Sequence, residues 1–226
     1  MSSASHGNAA ALLAALILAA CTGTSRAAGQ VSPTPAVPAA SSSASRTTPD
    51  TSHRSGNPAD VYFMSGMIGH HAQALIMAGW APSHGASASV RVLAERIVNE
   101  QNDEIRTMQQ WLRDRGQPVP DARATGMRMV MNGVEHEMLM PGMLTPDQMK
   151  QLDAARGEQF DRLFLTFMIQ HHRGAVSMVT ELFATDGAAQ EQSVFKLASD
   201  VNVDQTTEID RMQTMLAPYL IEGRGR

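Results

Sequence analysis

The chain has 226 residues and a mass of 24.3 kDa, room for flanking segments and one domain of about 150 residues that buries a real core. Its single Cys excludes a disulfide framework within the chain and any multi-Cys zinc or iron–sulfur site, and a net charge of −4 leaves no basic footprint for nucleic acid. Against only 4% aromatic residues, 16 Met are an excess that composition raises and does not explain.

In chain order, Ala9 to Ala20 is one apolar run. It is shorter than the ~18–20 residues that span a bilayer and reads as the apolar region of an export signal. It ends in Leu18-Ala19-Ala20-Cys21, which resembles the lipobox of bacterial lipoproteins. That resemblance implies cleavage before Cys21 and lipid attachment to it, so residues 1–20 are expected to be a leader. Residues 21–57 are rich in Ser, Thr, Ala and Pro and are expected to be a disordered tether.

The rest of the chain is written twice. Asp60–Met77 (DVYFMSGMIGHHAQALIM) and Asp161–Met178 (DRLFLTFMIQHHRGAVSM) agree at 8 of 18 positions, and Leu93–Leu112 agrees with Leu197–Leu216 at 8 of 20. Asp60, Phe63, Met64, Met67, His70, His71, Ala74 and Met77 recur at three- and four-residue steps, one stripe of a helix. Asn57-Pro58 starts that helix and Gly79 ends it. A second is expected from about Ser87 to Arg115, a third from Thr145-Pro146 to about Phe183, and a fourth from about Glu191 to Ala217, stopped by Pro218. No strand signal of useful length stands out. The fold expected is all-α: a ferritin-like four-helix bundle of two duplicated hairpins, residues 58–115 and 145–217. A Met-rich connection, 116–144, joins them, and a short tail, 218–226, follows.

The side chains on the inner stripes carry the chemistry. Met67, His70, His71 and Met77 on the first helix are matched by Met168, His171, His172 and Met178 on the third. Glu104 and Met108 on the second are matched by Glu208 and Met212 on the fourth. One Met in a core is usually filler, and one inward His is usually satisfied by a hydrogen bond. Duplicated filler would preserve volume, however, and would have no reason to preserve His-His. Imidazole with thioether and few carboxylates points to copper, as Cu(I), ahead of zinc. It points away from a di-iron centre, whose Glu-x-x-His motif is missing. Adjacent His lie about 100° apart on a helix, so one of each pair can ligate while the other holds a supporting contact.

The connection holds Met127, Met129, Met131, Met138, Met140 and Met143, with His136 among them. Two readings stand: an arm that captures soft metal ions, or a loop packed on the bundle by its Met. No Ser-His-Asp set, phosphate loop or Cys nucleophile is readable.

The paired motifs Phe63-Met64-Ser65-Gly66-Met67-Ile68-Gly69-His70-His71 and Phe167-Met168-Ile169-Gln170-His171-His172-Arg173-Gly174-Ala175 resemble the bacterial domain-of-unknown-function family DUF305. Met140-Pro141-Gly142-Met143 and Gly157-x-x-Phe160-Asp161 share the likeness. Members of that family include CopM-like periplasmic copper-binding proteins. The resemblance implies a ferritin-like bundle, export and copper binding. The expected protein is a lipid-anchored copper binder of the cell envelope, for buffering, resistance or delivery, with a copper-handling protein as partner and no nucleic acid. Two competing readings remain: a ferritin-like oxidase of Cu(I) or Fe(II), and a bundle whose polar core only fixes helix register.

Overall fold

The computed structural model describes residues 56–131 and 134–222, with the backbone alone over 127–137. The leader, most of the tether and Cys21 lie outside the described residues. Helix α1 spans Pro58–Gly79. It is entered through Asn57, whose side chain accepts from the Ala59 N–H, with Pro58 in the first turn. Helix α2 spans Ala88–Asp114 behind a Ser87 cap. A short helix α3, Pro146–Ala154, follows a Thr145/Gln148 capping box. Helix α4 spans Glu158–Ala184 and α5 spans Gln192–Glu222.

Four long helices in two antiparallel hairpins form the bundle. Helix α1 packs on α2, α4 on α5, and α1 on α4. Among the described residues, no helix is long and apolar enough to cross a membrane. The repeats grip each other at their ends. Asp60 accepts from the Ala189 N–H at 2.7 Å, in the turn of the second hairpin. Its counterpart Asp161 accepts from the Ser87 N–H at 3.1 and 3.2 Å, in the turn of the first.

Three expectations change. The third helix is broken in two: Ala155 is extended and Gly157 takes φ +57°, so α3 and α4 are separate. Pro218 lies inside α5 and does not end it. So close to the C-terminus it removes one backbone hydrogen bond, and Tyr219 anchors the last turns through its hydroxyl on Asp161 at 3.1 Å. The connection also carries strands. β1 (Met127–Met131) and β2 (Val134–Met138) pair antiparallel, with Met127 opposite Met138 and Met129 opposite His136. The signal passed over is Asn132-Gly133 between alternating residues, a pair favoured in two-residue hairpin loops.

The core is divided. One apolar cluster holds Phe63, Met67, Met108, Met178 and Val201; the other holds Met77, Leu93, Phe164, Met168 and Met212. Along α1 and α4 the His pairs fall between them, and along α2 and α5 Gln101/Glu104 and Gln205/Glu208 do. A polar layer therefore crosses the bundle between two apolar halves.

Residues 140–144 of the connection lie across α1 and α4. Met140-Pro141-Gly142-Met143 is a turn closed by Met143 N–H to Met140 C=O at 3.1 Å, with Gly142 at φ +77°. It fits because Gly174 bares the backbone of α4; a Cβ there would meet the Pro141 carbonyl oxygen at 1.9 Å. Gly174→Ala is expected to cost about 1–3 kcal/mol in urea unfolding, as an overpacked contact does. Gly79→Ala, with nothing within 4 Å of the added carbon, is expected to be neutral or to stabilise by up to about 1 kcal/mol.

Candidate metal centre

His70, His71, His171 and His172 are all 0% exposed. Helix α1 delivers the first two and α4 the others. Because α1 packs on α4, the rings of His70 and His171 lie with centroids 3.8 Å apart. Within each pair the rings are 6.2 and 6.3 Å apart. The outer member of each pair meets the neighbouring helix of its own hairpin. His71 Nε2 is 2.7 Å from Glu104 Oε2, and His172 Nε2 is 2.7 Å from Glu208 Oε2.

These contacts place the protons. An ionised carboxylate only accepts, so His71 and His172 carry their proton on Nε2 and donate it to Glu104 and Glu208. His70 Nε2–H likewise donates to the Pro141 carbonyl at 3.0 Å. With the Nε2 proton so engaged, Nδ1 is the ring nitrogen left over in each. All three Nδ1 atoms are buried without a hydrogen-bond partner. His171 meets no hydrogen-bond partner at either ring nitrogen, with the His70 backbone nearby. Burial pushes His70 down to about 3, with His71 adding to the effect and the Pro141 carbonyl opposing it. Burial, then its His neighbours, hold His171 well below the usual imidazole range. Burial lowers His172 as well, against its hydrogen bond to Glu208. These rings are neutral lone-pair donors, the form in which imidazole binds a metal.

Thioethers close the layer from both sides. Met67, Met108 and Met178 belong to one apolar half and Met77, Met168 and Met212 to the other, all buried. The 12 residues singled out on the stripes are thus brought into one central region, but their Met are divided between two halves. Met140 and Met143 are also buried, in the half with Met67. Met138 is 36% exposed, while Met127, Met129, Met131 and His136 are placed only by the hairpin's backbone register. Among the described residues, no three His, Cys, Asp or Glu side chains are grouped to hold one ion. A metal here needs the thioethers as well. The unpaired imidazole nitrogens, with Met in the apolar half on either side, fit a soft ion better than a hard one, which prefers oxygen.

A family model described as a domain of unknown function (DUF305) matches residues 60–216. The chain belongs to the DUF305 family. A DUF305 fragment from Deinococcus radiodurans is 30% identical, with a TM-score of 0.59 over 72% of this chain and 98% of its own. CopM in its Cu(I)-bound form is 27% identical, with a TM-score of 0.54 over 71% and 96%. The Cu(II)-bound form of CopM is also 27% identical, with a TM-score of 0.55 over 71% and 97%. No curated protein sequence matches.

In this DUF305 bundle, structure adds residues that sequence did not single out. The Pro141 carbonyl fixes His70 across 71 positions of chain, a contact no local pattern signals. Gln101 and Gln205 are buried in the same layer. Neither polar atom of Gln101 has a partner, and Gln205 Oε1 has none. In sequence they share the inner stripes of the two repeats with Glu104 and Glu208, as a repeated Gln-x2-Glu-x3-Met pattern. Ser83, His84 and Asp153 form a hydrogen-bonded chain. Ser83 Oγ is 2.9 Å from His84 Nδ1, and His84 Nε2 is 3.1 Å from Asp153 Oδ1 and 2.9 Å from the Asp153 carbonyl. It joins α3 to the turn after α1, with His84 against the rings of Trp80 and Phe160. It was illegible because its Asp lies 69 residues away.

The buried imidazoles make stability depend on pH. Unfolded, they protonate near 6.5, whereas burial keeps His70 neutral down to about 3 and lowers His171 and His172 too. Below 6.5 the unfolded chain binds more protons, so stability falls as pH falls. The slope approaches about 1.4 kcal/mol per pH unit for each histidine protonated only when unfolded. Burial raises Asp60, Glu100 and Asp204, and these oppose the loss only once pH nears the carboxylate range. In metal-free protein the urea midpoint is expected to drop between roughly pH 7.5 and 5.5, less so in His171→Leu. A flat wild-type profile would show that the folded layer takes up the protons.

Proposed function

We propose that this protein binds copper in the cell envelope, for buffering, resistance or delivery, and that the cargo is Cu(I). The observation that carries the reading is the layer of four fully buried imidazoles with unpaired Nδ1 atoms, bounded on both sides by thioethers. Leaving one such group unpaired in a core costs ~1–3 kcal/mol; four in one layer are reasonable where an ion satisfies them. Copper bound to CopM, a protein similar along most of its length, supports the choice of metal.

In this reading His70, His71, His171 and His172 supply nitrogen, and Met67, Met77, Met108, Met168, Met178 and Met212 supply sulfur. Glu104 and Glu208 hold the protons of His71 and His172 on Nε2 and aim their Nδ1 lone pairs inward. The hairpin, with Met127, Met129, Met131, His136 and Met138, serves as a capture arm. The apolar run and Cys21 export the chain and anchor it by lipid, and residues 21–57 tether the bundle to that anchor.

Cu(I) titration against a chromophoric chelator tests the core site, using the full chain with Cys21→Ser so that the thiol does not compete. His71→Ala with His172→Ala is expected to abolish tight binding, and Glu104→Gln with Glu208→Gln to weaken it by about 10–100-fold. Wild-type affinity in the double His variant would sink the core site. Fractionation of the producing cells tests the anchor. The wild type is expected with the membranes and Cys21→Ser in the soluble fraction; identical partitioning would remove the lipid.

A further inference from the structure

The two repeats differ where they would otherwise offer equivalent access to the layer. Gly66 on α1 aligns with Phe167 on α4. Phe167 is buried in the apolar half that contains Met77. On the other side, the room left by Gly66 is filled by the connection. A Cβ on Gly66 would lie 2.7 Å from Met140 Cε, 3.5 Å from Met140 Sδ and 3.5 Å from Met178 Cε. One repeat thus closes this place with a rigid ring of its own, and the other with a flexible thioether from a separate segment.

That thioether faces a cleft. Between α1 and α4, a hollow of about 190 Å³ is lined by Tyr62, Phe63, Met140, Pro141, Met178 and Glu181, among others. Two sulfur-bearing side chains stand in its wall and an exposed carboxylate stands at its edge. Pro141 also lines it, and the Pro141 carbonyl holds His70 Nε2 at 3.0 Å. His70 in turn lies against the unpartnered ring of His171, tilted by 39° to it. The lining thus holds a carboxylate and two thioethers, and one of its residues, Pro141, also holds a buried imidazole.

Building on the soft-ion reading above, we infer that this cleft is the entrance to the buried layer. Met140 and Met178 are the first sulfur ligands an entering ion meets, and Phe167 seals the corresponding path in the second repeat. The ion passes by ligand exchange alone, from thioether to imidazole, with no change of oxidation state. An unbranched thioether can turn aside and return without breaking a hydrogen bond, which suits a ligand that must also act as a plug.

A rival path exists. Glu104 lines an acidic cleft between α2 and α5 with Glu100, Asp103, Asp200 and Asp204, and its carboxylate holds the buried His71. A cation drawn by charge would enter there. The two routes separate by kinetics. The probe is Ag(I), transferred by stopped flow from a chelator that outcompetes surface Met, into the full chain with Cys21→Ser.

Gly66→Phe, which copies the second repeat, is expected to slow uptake roughly ten-fold or more with the amount bound at equilibrium unchanged. Met178→Leu and Met140→Leu keep the volume and remove the sulfur, and are expected to slow uptake several-fold. They carry the test if circular dichroism shows Gly66→Phe misfolded. Glu100→Gln with Asp204→Asn is expected to leave the rate unchanged at fixed ionic strength. Wild-type rates in Gly66→Phe and both Leu variants, with binding intact, overturn the entrance. Slowing confined to the acidic-cleft variant overturns it in favour of the rival. A wild type that takes up no Ag(I) at all overturns the soft-ion reading itself, and the entrance with it.

Discussion

Four imidazoles kept out of water are the constraint around which this bundle is organised. Nothing in water holds four His together with their nitrogens unpaired. Here the two apolar halves exclude solvent above and below the layer, and the dry surroundings suppress protonation of His70, His171 and His172. Glu104, Glu208 and the Pro141 carbonyl then decide which nitrogen carries each remaining proton. The same low dielectric that makes an unpaired nitrogen expensive makes it an effective ligand, because no water competes for its lone pair. Stability and binding capacity are therefore opposed in the layer, and the packing on either side supplies what the layer costs.

The connection belongs to this arrangement as much as the helices do. At two aligned places the repeats exchange Gly and Gln: Gly69 aligns with Gln170, and Gln73 with Gly174. Both glycines admit connection backbone. A Cβ on Gly69 would meet the Gly126 carbonyl oxygen at 2.4 Å, as one on Gly174 would meet that of Pro141. Both glutamines hold connection backbone. Gln73 bonds the N–H and C=O of Leu144 at 2.7 and 3.0 Å, and Gln170 donates to the Gly142 carbonyl at 3.2 Å. A duplicated bundle has two equivalent faces and only one connection to lay across them. Departures from symmetry at these four positions follow from that mismatch, and they place the Pro141 carbonyl on His70 and leave His171 without its equivalent.

What could be read from the sequence was what repeats locally. The three- and four-residue steps placed His and Met on inner stripes, and duplication separated them from ordinary filler. The caps at Asn57 and Thr145 marked helix starts because their chemistry lies within three residues. Contacts made at long range were out of reach. Pro141 meets His70 across 71 residues, and no periodicity encodes it. The division of the six stripe Met between two halves depends on antiparallel stacking. A linear motif hides it, since Met67 and Met77 flank one His pair in sequence yet belong to different clusters. The break at Gly157 was hidden by good helix formers on both sides. The hairpin was hidden because alternating Met suits a metal-capturing arm as well as a strand.

The Met excess then has a physical explanation beyond softness. On the copper reading proposed above, a core that surrounds a polar layer and lets an ion through needs side chains that are apolar enough to exclude water. They must also be flexible enough to fill uneven gaps and basic enough toward soft ions to take part in binding. Leu and Phe meet the first requirement only; His meets the last at the cost of a hydrogen bond. The thioether meets all three. This is why packing and ligation, which compete as explanations for any single Met in a sequence, do not exclude each other here. Met140 shows both at once, buried in the core beside Met178 while lining an open cleft with it. Where the second repeat needs packing alone, at Phe167, an aromatic ring takes the place.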